Sequence, residues 1–512
     1  MINKNDLLTI KQAADLIDRE PDNISYLIQY GRINKYDIKG NPIKSRNGGI
    51  SKIKISKSEL LDYVIKRDTG IEKERQEKLG EYNKDLAFDG LPEKIRTKHV
   101  HRLHQYKGKF IPQLVEYFLV RNFQEGDIIL DPFAGSGTTL VQANEMGIRS
   151  VGIDITPFNC MISEVKTRKY NIDPLKEELK DISSKTKNFS KKFADYEKEI
   201  KVLISQFNRE KLPELEKRID KEKMKTFANE IEKEFKEWIK EKGFDNQSES
   251  NDKQLKITNS PYLQKWFSKR SLKELIYYRD HIQDYQNQDI MKIILTRAAR
   301  SSRLVPHFDL ASPKEPIRDA YFCFKHKIIC YPIQKAIGKL DLYTRDTIKR
   351  IETFDKLRKD VFTKVLPHDD SRYIKMEDYL DEDILKEKFN GIFTSPPYVG
   401  NIDYHDQHIY AYELLDVPRF DKKEIGPLSN GKTKKAQQQY IDDISQVLKN
   451  LKKYMKKDAK IFFVANDRQN LYRDITKQAN MTIVKEYKRP VSNRTERDKQ
   501  FYSETIFEMR YI

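Results

Sequence analysis

Residues 126–157 read GDIILDPFAGSGTTLVQANEMGIRSVGIDITP. An apolar run at Ile128–Leu130 gives way to a glycine-rich turn, then to the stretch LVQANEM, then to a second apolar run ending at Asp154. That succession predicts a strand, a helix and a second strand, the βαβ unit of a parallel sheet. Gly135 and Gly137 fall between the first strand and the helix, where the lack of a Cβ permits a tight turn and the close approach of a ligand. The texture returns at FNGIFTSPPY (Phe389–Tyr398), an apolar strand running into a proline loop, and again at AKIFFVAND and YSETIFEMRYI. Together these segments predict an α/β fold, a doubly wound Rossmann-like sheet whose site lies at the carboxyl ends of its strands.

The turn restricts the ligand. Its spacing is not GxGxxG, which argues against a dinucleotide, and the turn does not carry the GxxxxGK[ST] pattern, the cradle that nucleotide triphosphatases use for phosphate. Asp154, at the tip of the second strand, has two readings. It can cap the helix that begins after Thr156 and Pro157, or accept hydrogen bonds from two ribose hydroxyls. The glycine turn beside it favours the ribose.

Outward from this core, 512 residues exceed what one hydrophobic core usually organises. Residues 1–68 are read as a small module of two helices, a strand and a third helix, with Ser56 or Ser58 as the cap before Leu60, Leu61 and Val64. A polar linker is expected over 69–100, the first part of the core over 101–164 and its second part over 366–512. About 260 residues separate Asp131 from Ser395, whereas two βαβ repeats need only about 60. The excess, 165–365, is read as a large, mainly helical insertion, because FADYEKEIKVLISQF and FANEIEKEFKEWIKEKGF carry apolar residues at helical spacing.

A net charge of +18 favours a polyanionic partner. Lys269, Arg270, Arg297, Arg300 and Arg303, interleaved with aromatic residues, are the candidate phosphate contacts of a target-recognition region. No run is long and apolar enough to span a bilayer and no secretory leader is recognisable, so a cytoplasmic protein without a membrane partner is expected. Three cysteines cannot form a disulfide framework. Cys323, His326 and Cys330 supply three of the four ligands a structural zinc ion requires, so buried thiols are expected and no metal is assigned.

In combination these motifs resemble the site-specific amino-methyltransferases of DNA: DPFAGSGTT (Asp131–Thr139) is similar to their motif I, GID to motif II, and TSPPY (Thr394–Tyr398) to motif IV. HQYKGKFIPQL (His104–Leu114) is similar to motif X, DDSRYI (from Asp369) to motif III, and RTERDKQFYSETIFEMR to the closing strands. Residues 1–68 resemble the winged helix-turn-helix of excisionase and MerR-type proteins. The resemblance implies S-adenosylmethionine as cofactor, held by Lys109, Phe110, Asp131, Phe133, Gly135, Ser136, Gly137, Thr138, Asp154 and Asp370, the last at the adenine ring. It implies double-stranded DNA as substrate, with a cognate restriction endonuclease as a further candidate partner. Ser395, Pro396, Pro397 and Tyr398 would be catalytic. An exocyclic amine attacks the methyl group directly, so acceptors at Ser395 and the Pro396 carbonyl suit it, and Tyr398 can stack on an extruded base. In the resembling family, serine before Pro-Pro-Tyr accompanies N4 of cytosine. N6 of adenine, an RNA base, or a DNA-binding regulator without activity are the alternatives. Carbon-5 methylation needs a cysteine after proline, and none of the three cysteines follows one.

Overall fold

The computed structural model describes residues 6–17, 21–29, 33–43, 53–63, 83–88, 97–106, 108–193, 196–218, 224–244, 257–307, 309, 313–367, 369–491 and 502–512. Most of the expected linker, and residues 492–501 of the expected closing segment, lie outside them. The chain forms two compact units, one of residues 78–188, 275–300 and 337–512, the other of 1–77, 189–274 and 301–336. The stretch 165–365, read as a single insertion, is thus shared between both.

The first unit is built on seven strands: β1 (Ile128–Asp131), β2 (Arg149–Gly152), β3 (Thr363–Val365), β4 (Phe389–Thr394), β5 (Met455–Ala465), β6 (Met481–Val491) and β7 (Tyr502–Tyr511). Their order is β6-β7-β5-β4-β1-β2-β3. β3, β2, β1, β4 and β5 run parallel, while β7 pairs antiparallel with both β5 and β6. β1, the first strand in sequence, lies centrally, so the winding reverses direction between β1 and β4. The loops leaving those two strands diverge there and open a crevice.

Burial explains the strand sequences. Every residue of β1 is buried, as a parallel strand covered on both faces requires. Ile128, Leu130, Ile392, Ile461 and Phe463 face one core, and Ile129, Phe393, Phe462 and Val464 face another. Helices α1 (Pro112–Asn122), α2 (Thr138–Glu145), α3 (Pro157–Thr167), α4 (Lys434–Leu451) and α5 (Leu471–Gln478) belong to the same unit. β3 and β6 were not foreseen. β3 has three residues, and much of β6 is exposed at the sheet edge, so neither carries a sustained apolar pattern.

In the second unit, helices Ile10–Leu16 and Pro21–Gln29, the antiparallel strands Leu7–Thr9 and Lys54–Ser56, and a helix over 57–63 enclose Ala13, Ala14, Ile24, Leu27, Ile55 and Leu60. Ser56 Oγ accepts from Glu59 N at 3.1 Å and so caps that last helix. Helices Tyr196–Glu210 and Met224–Glu241 bury Phe207, Ile231, Phe235 and Trp238 against the hairpin Tyr321–Cys323/Ile328–Cys330.

Gly137 opens α2 with φ +73°, and a Cβ there would lie 3.1 Å from the Ser163 Cα of α3. Gly126 has φ +89° and open space around it. Gly126→Ala should therefore lose about 1–2 kcal/mol through backbone strain alone, and Gly137→Ala should lose about 1–3 kcal/mol more, because α3 must move. Denaturant unfolding of the two variants measures the difference.

Candidate active site

A cavity opens at the carboxyl ends of β1, β2, β3 and β4. The loop after β1 contributes Asp131, Phe133, Gly135, Ser136 and Thr138; the loop after β2, Asp154, Ile155, Thr156 and Asn159; the loop after β3, Asp369, Asp370 and Ser371; the loop after β4, Ser395 and Pro397. Lys109 and Phe110 close one side, and Tyr106, Tyr404 and Glu424 complete the wall. Of the residues expected to hold a cofactor, only Gly137 is outside the lining; its neighbour is α3. Of the four expected catalytic residues, Ser395 and Pro397 line the cavity. Pro396 and Tyr398 do not, although the Tyr398 hydroxyl accepts from Ser395 Oγ at 3.4 Å and donates to Glu504 at 3.3 Å.

Local hydrogen bonds hold the loops. Thr394 Oγ1 donates to Asp131 Oδ1 at 2.6 Å, and Thr139 Oγ1 to the Phe393 carbonyl at 3.3 Å, joining the glycine turn to the proline loop. From α3, Ser163 Oγ donates to the Gly135 carbonyl at 3.0 Å and Lys166 Nζ to the Ser136 carbonyl at 2.5 Å. Lys166 is buried, and that burial pushes its ammonium well below the usual lysine range. Both expected roles of Asp154 bear on its geometry. Oδ1 accepts from Thr156 N (2.9 Å), Thr156 Oγ1 (2.6 Å) and Asn159 Nδ2 (3.0 Å), as a residue ahead of a helix does. Oδ2 accepts Gly135 N at 2.8 Å and keeps a second lone pair. Asp370 is held by Arg372, whose Nη2 donates to it at 2.7 Å.

Tyr106, Asn159, Ser371, Tyr404 and Glu424 were not anticipated. Tyr106 stacks on Tyr404 with ring centroids 6.2 Å apart and accepts from Asn159 Nδ2 at 3.2 Å. Glu424 accepts the main-chain N–H groups of Tyr404 and His405 and pairs with the His405 ring. The available signal was aromatic density, in HQYKGKF and in NIDYHDQHIY directly after the proline loop.

Two site expectations need correction. Arg297 is buried, pairs with Asp346 at 2.5 Å, donates to Thr347 Oγ1 and lies 4.3 Å from the Tyr343 ring centre. Arg303 is 7% exposed. The Arg297 charge is thus spent inside the fold and cannot reach a phosphate, and Arg303 offers little surface to one. Arg270 spends its guanidinium on buried Glu274 and on Ser190. Lys269 is exposed and Arg300 half-buried. Cys160, near the cavity, donates to the Asp154 and Leu366 carbonyls, and burial pushes its thiol well above the usual range, so it offers no thiolate for attack on a ring carbon.

Burial pushes the Asp131 carboxyl up to about 6, and the hydrogen bonds from the Thr394 hydroxyl and the Phe133 N–H only partly offset it. The folded protein therefore holds this proton more tightly than the unfolded chain, and the group's stabilising contribution falls as pH rises from about 4 through about 6. The loss is at most about 3 kcal/mol. Asp131→Asn retains an acceptor for Thr394, and unfolding measured across that window should show a shallower decline than in the wild type.

The donor set suits a molecule that joins an adenosine to a methionine. There is a buried carboxylate with a free lone pair, a wall of Phe110, Phe133, Ile155 and Ile425, and two buried atoms, Ser136 Oγ and Asn159 Oδ1, without a partner among the described residues. Comparison with known proteins agrees. A family model of the N6/N4 methylases, described as DNA methylase, matches residues 26–165. The chain is 47% identical to the type II methyltransferase M.MjaII of Methanocaldococcus jannaschii, across 98% of this chain and 97% of that one. It is 26% identical to the type II methyltransferase M.BsoBI of Geobacillus stearothermophilus over 70% of this chain and 59% of that protein. It is 31% identical to M.MvaI of Kocuria varians over 24% and 27%. No helix among the described residues is long and apolar enough to cross a membrane. With its glycine turn and proline loop opening into one cavity and its length matched nearly end to end, the chain belongs to the type II DNA methyltransferases of the N6/N4 family, which act on double-stranded DNA with S-adenosylmethionine as methyl donor.

Proposed function

We propose that this enzyme methylates the exocyclic N4 of cytosine at a short site in duplex DNA, as the modification half of a restriction-modification pair with a cognate endonuclease. The observation that carries the reading is the shared cavity, which Ser395 and Pro397 line together with Asp154 and the glycine turn. Bound S-adenosylmethionine would supply a methyl group activated by its sulfonium, the S–CH3 bond breaking to leave the neutral thioether S-adenosylhomocysteine as one amino proton is released, so the chain's task is to bind, orient and exclude water.

Asp154 Oδ2 would hold a ribose hydroxyl, Asp369 and Asp370 the adenine, and Lys109, Phe110, Ser136 and Thr138 the methionine end. Ser395 Oγ and the Pro396 carbonyl accept the two amino hydrogens of the target base, which aims the nitrogen lone pair at the methyl group. Two successive prolines remove competing N–H donors and fix φ, keeping that carbonyl in place. Tyr398, tethered to Ser395 and Glu504, offers its ring to the extruded base, offsetting part of the few kcal/mol that unstacking requires. Residues 1–68 act as a winged helix-turn-helix reading DNA beside the target, and exposed Lys269 and half-buried Arg300 remain the phosphate contacts among the five cations proposed.

Two substitutions separate the roles. Ser395→Ala should lower kcat about 10²-fold or more while leaving the cofactor Kd unchanged, since it removes an acceptor used at the reacting amine. Asp154→Ala should raise the cofactor Kd about 10- to 100-fold, the value of one to two hydrogen bonds to a charged group. Calorimetry with S-adenosylmethionine and single-turnover methylation measure the two effects. Modification sequencing of DNA from a host expressing the enzyme should show N4-methylcytosine in one sequence context. N6-methyladenine there would reassign the base, and methylated RNA without methylated DNA would overturn the reading.

A further inference from the structure

Outside the methyl-transfer cavity, in the other unit, His307, Cys323, His326 and Cys330 bring one ligand atom each to within 4.8 Å of all the others. We propose that these four residues form a structural zinc site. His307 supplies the ligand that the spacing Cys323-x₂-His326-x₃-Cys330 lacks.

The separations fit an ion. Zinc bonds of about 2.3 Å to sulfur and 2.0–2.1 Å to nitrogen, at tetrahedral angles, place ligand atoms about 3.3–3.8 Å apart. His326 Nδ1 lies 3.3 Å from His307 Nδ1, 3.5 Å from Cys323 Sγ and 3.4 Å from Cys330 Sγ. Hydrogen bonding cannot account for that crowding. A ring nitrogen carries either one proton or one lone pair, so Nδ1 can serve one of the three groups around it, whereas a cation at the centre serves all four. A set of two sulfurs and two imidazoles selects zinc among the common divalent ions.

The hairpin and its anchors supply the scaffold. Strands Tyr321–Cys323 and Ile328–Cys330 pair antiparallel, and their alternation turns Phe322 and Ile329 toward the helical core while Cys323 and Cys330 pack with Tyr321 in a cluster of their own. Phe322 N donates to Glu232 at 2.7 Å, and Asn208 bonds both main-chain groups of Ile329, anchoring the hairpin. His307, from a segment well before the hairpin, donates its main-chain N–H to the Tyr321 hydroxyl at 2.9 Å, which brings its ring to the cysteines. Four protein ligands leave no open coordination position, so the ion fastens the His307 segment to the hairpin and takes no part in methyl transfer.

Full-length protein produced in zinc-supplemented medium and desalted should contain one zinc per chain by mass spectrometry of the metal. Cobalt exchanged into it should show the visible bands of a tetrahedral site and the sulfur-to-cobalt charge-transfer band. Cys330→Ala and His307→Ala should each lose the metal. His307→Ala lies outside the hairpin and should keep the helical circular-dichroism signal and S-adenosylmethionine binding, which separates loss of the ion from loss of the fold. Wild-type protein with no stoichiometric metal, with iron in place of zinc, or with Cys323 and Cys330 joined as a disulfide would overturn the proposal, whatever the state of the methyl-transfer reading.

Discussion

The hydrogen bond from the Thr394 hydroxyl to the Asp131 carboxylate, at 2.6 Å, closes a gap of 263 residues. It joins the end of β4 to the end of β1 where the sheet reverses its winding, and everything that makes the cavity a single site follows from that junction. Were the two strand ends apart, the glycine turn could bind a cofactor and the proline loop a base, with nothing to align one with the other. Because both groups are buried, the bond is strong in a medium of low polarity, and the same burial makes an unpartnered carboxylate there costly.

The cavity rests on a second layer of contacts that ligands never touch. Ser163 and Lys166 on α3 fasten the carbonyls of Gly135 and Ser136, and Gly137 lets α2 and α3 approach closely enough for this. Asp154 is held by Thr156, Asn159 and the turn itself, so it presents a fixed oxygen. This rigidity suits a reaction whose acceleration comes from alignment of a nitrogen lone pair with a methyl group.

The molecule's positive charge is distributed less simply than its total suggests. Arg297 and Arg270 are consumed by Asp346 and Glu274, inside the protein, and contribute packing and order. Net charge therefore describes the partner class and says little about which residues meet it.

The sequence alone determined the βαβ core, the position of the glycine turn, Asp154 and the proline loop, because each is written locally: apolar runs of strand length, glycines where a turn needs them, prolines where donors must be absent. It also determined the helices of the long middle stretch, through their apolar spacing. Tertiary structure decided what depends on distant partners. β3 and β6 exist because neighbouring strands offer hydrogen bonds, their own patterns being too short or too exposed. Tyr106 and Tyr404 become one wall by stacking across the cavity, and His307 joins Cys323, His326 and Cys330 through the turn of the backbone near Tyr321. The burial of Arg297 and Arg303 is likewise set by what packs over them, since an arginine between helical apolar residues reads the same whether its guanidinium faces an aspartate or water.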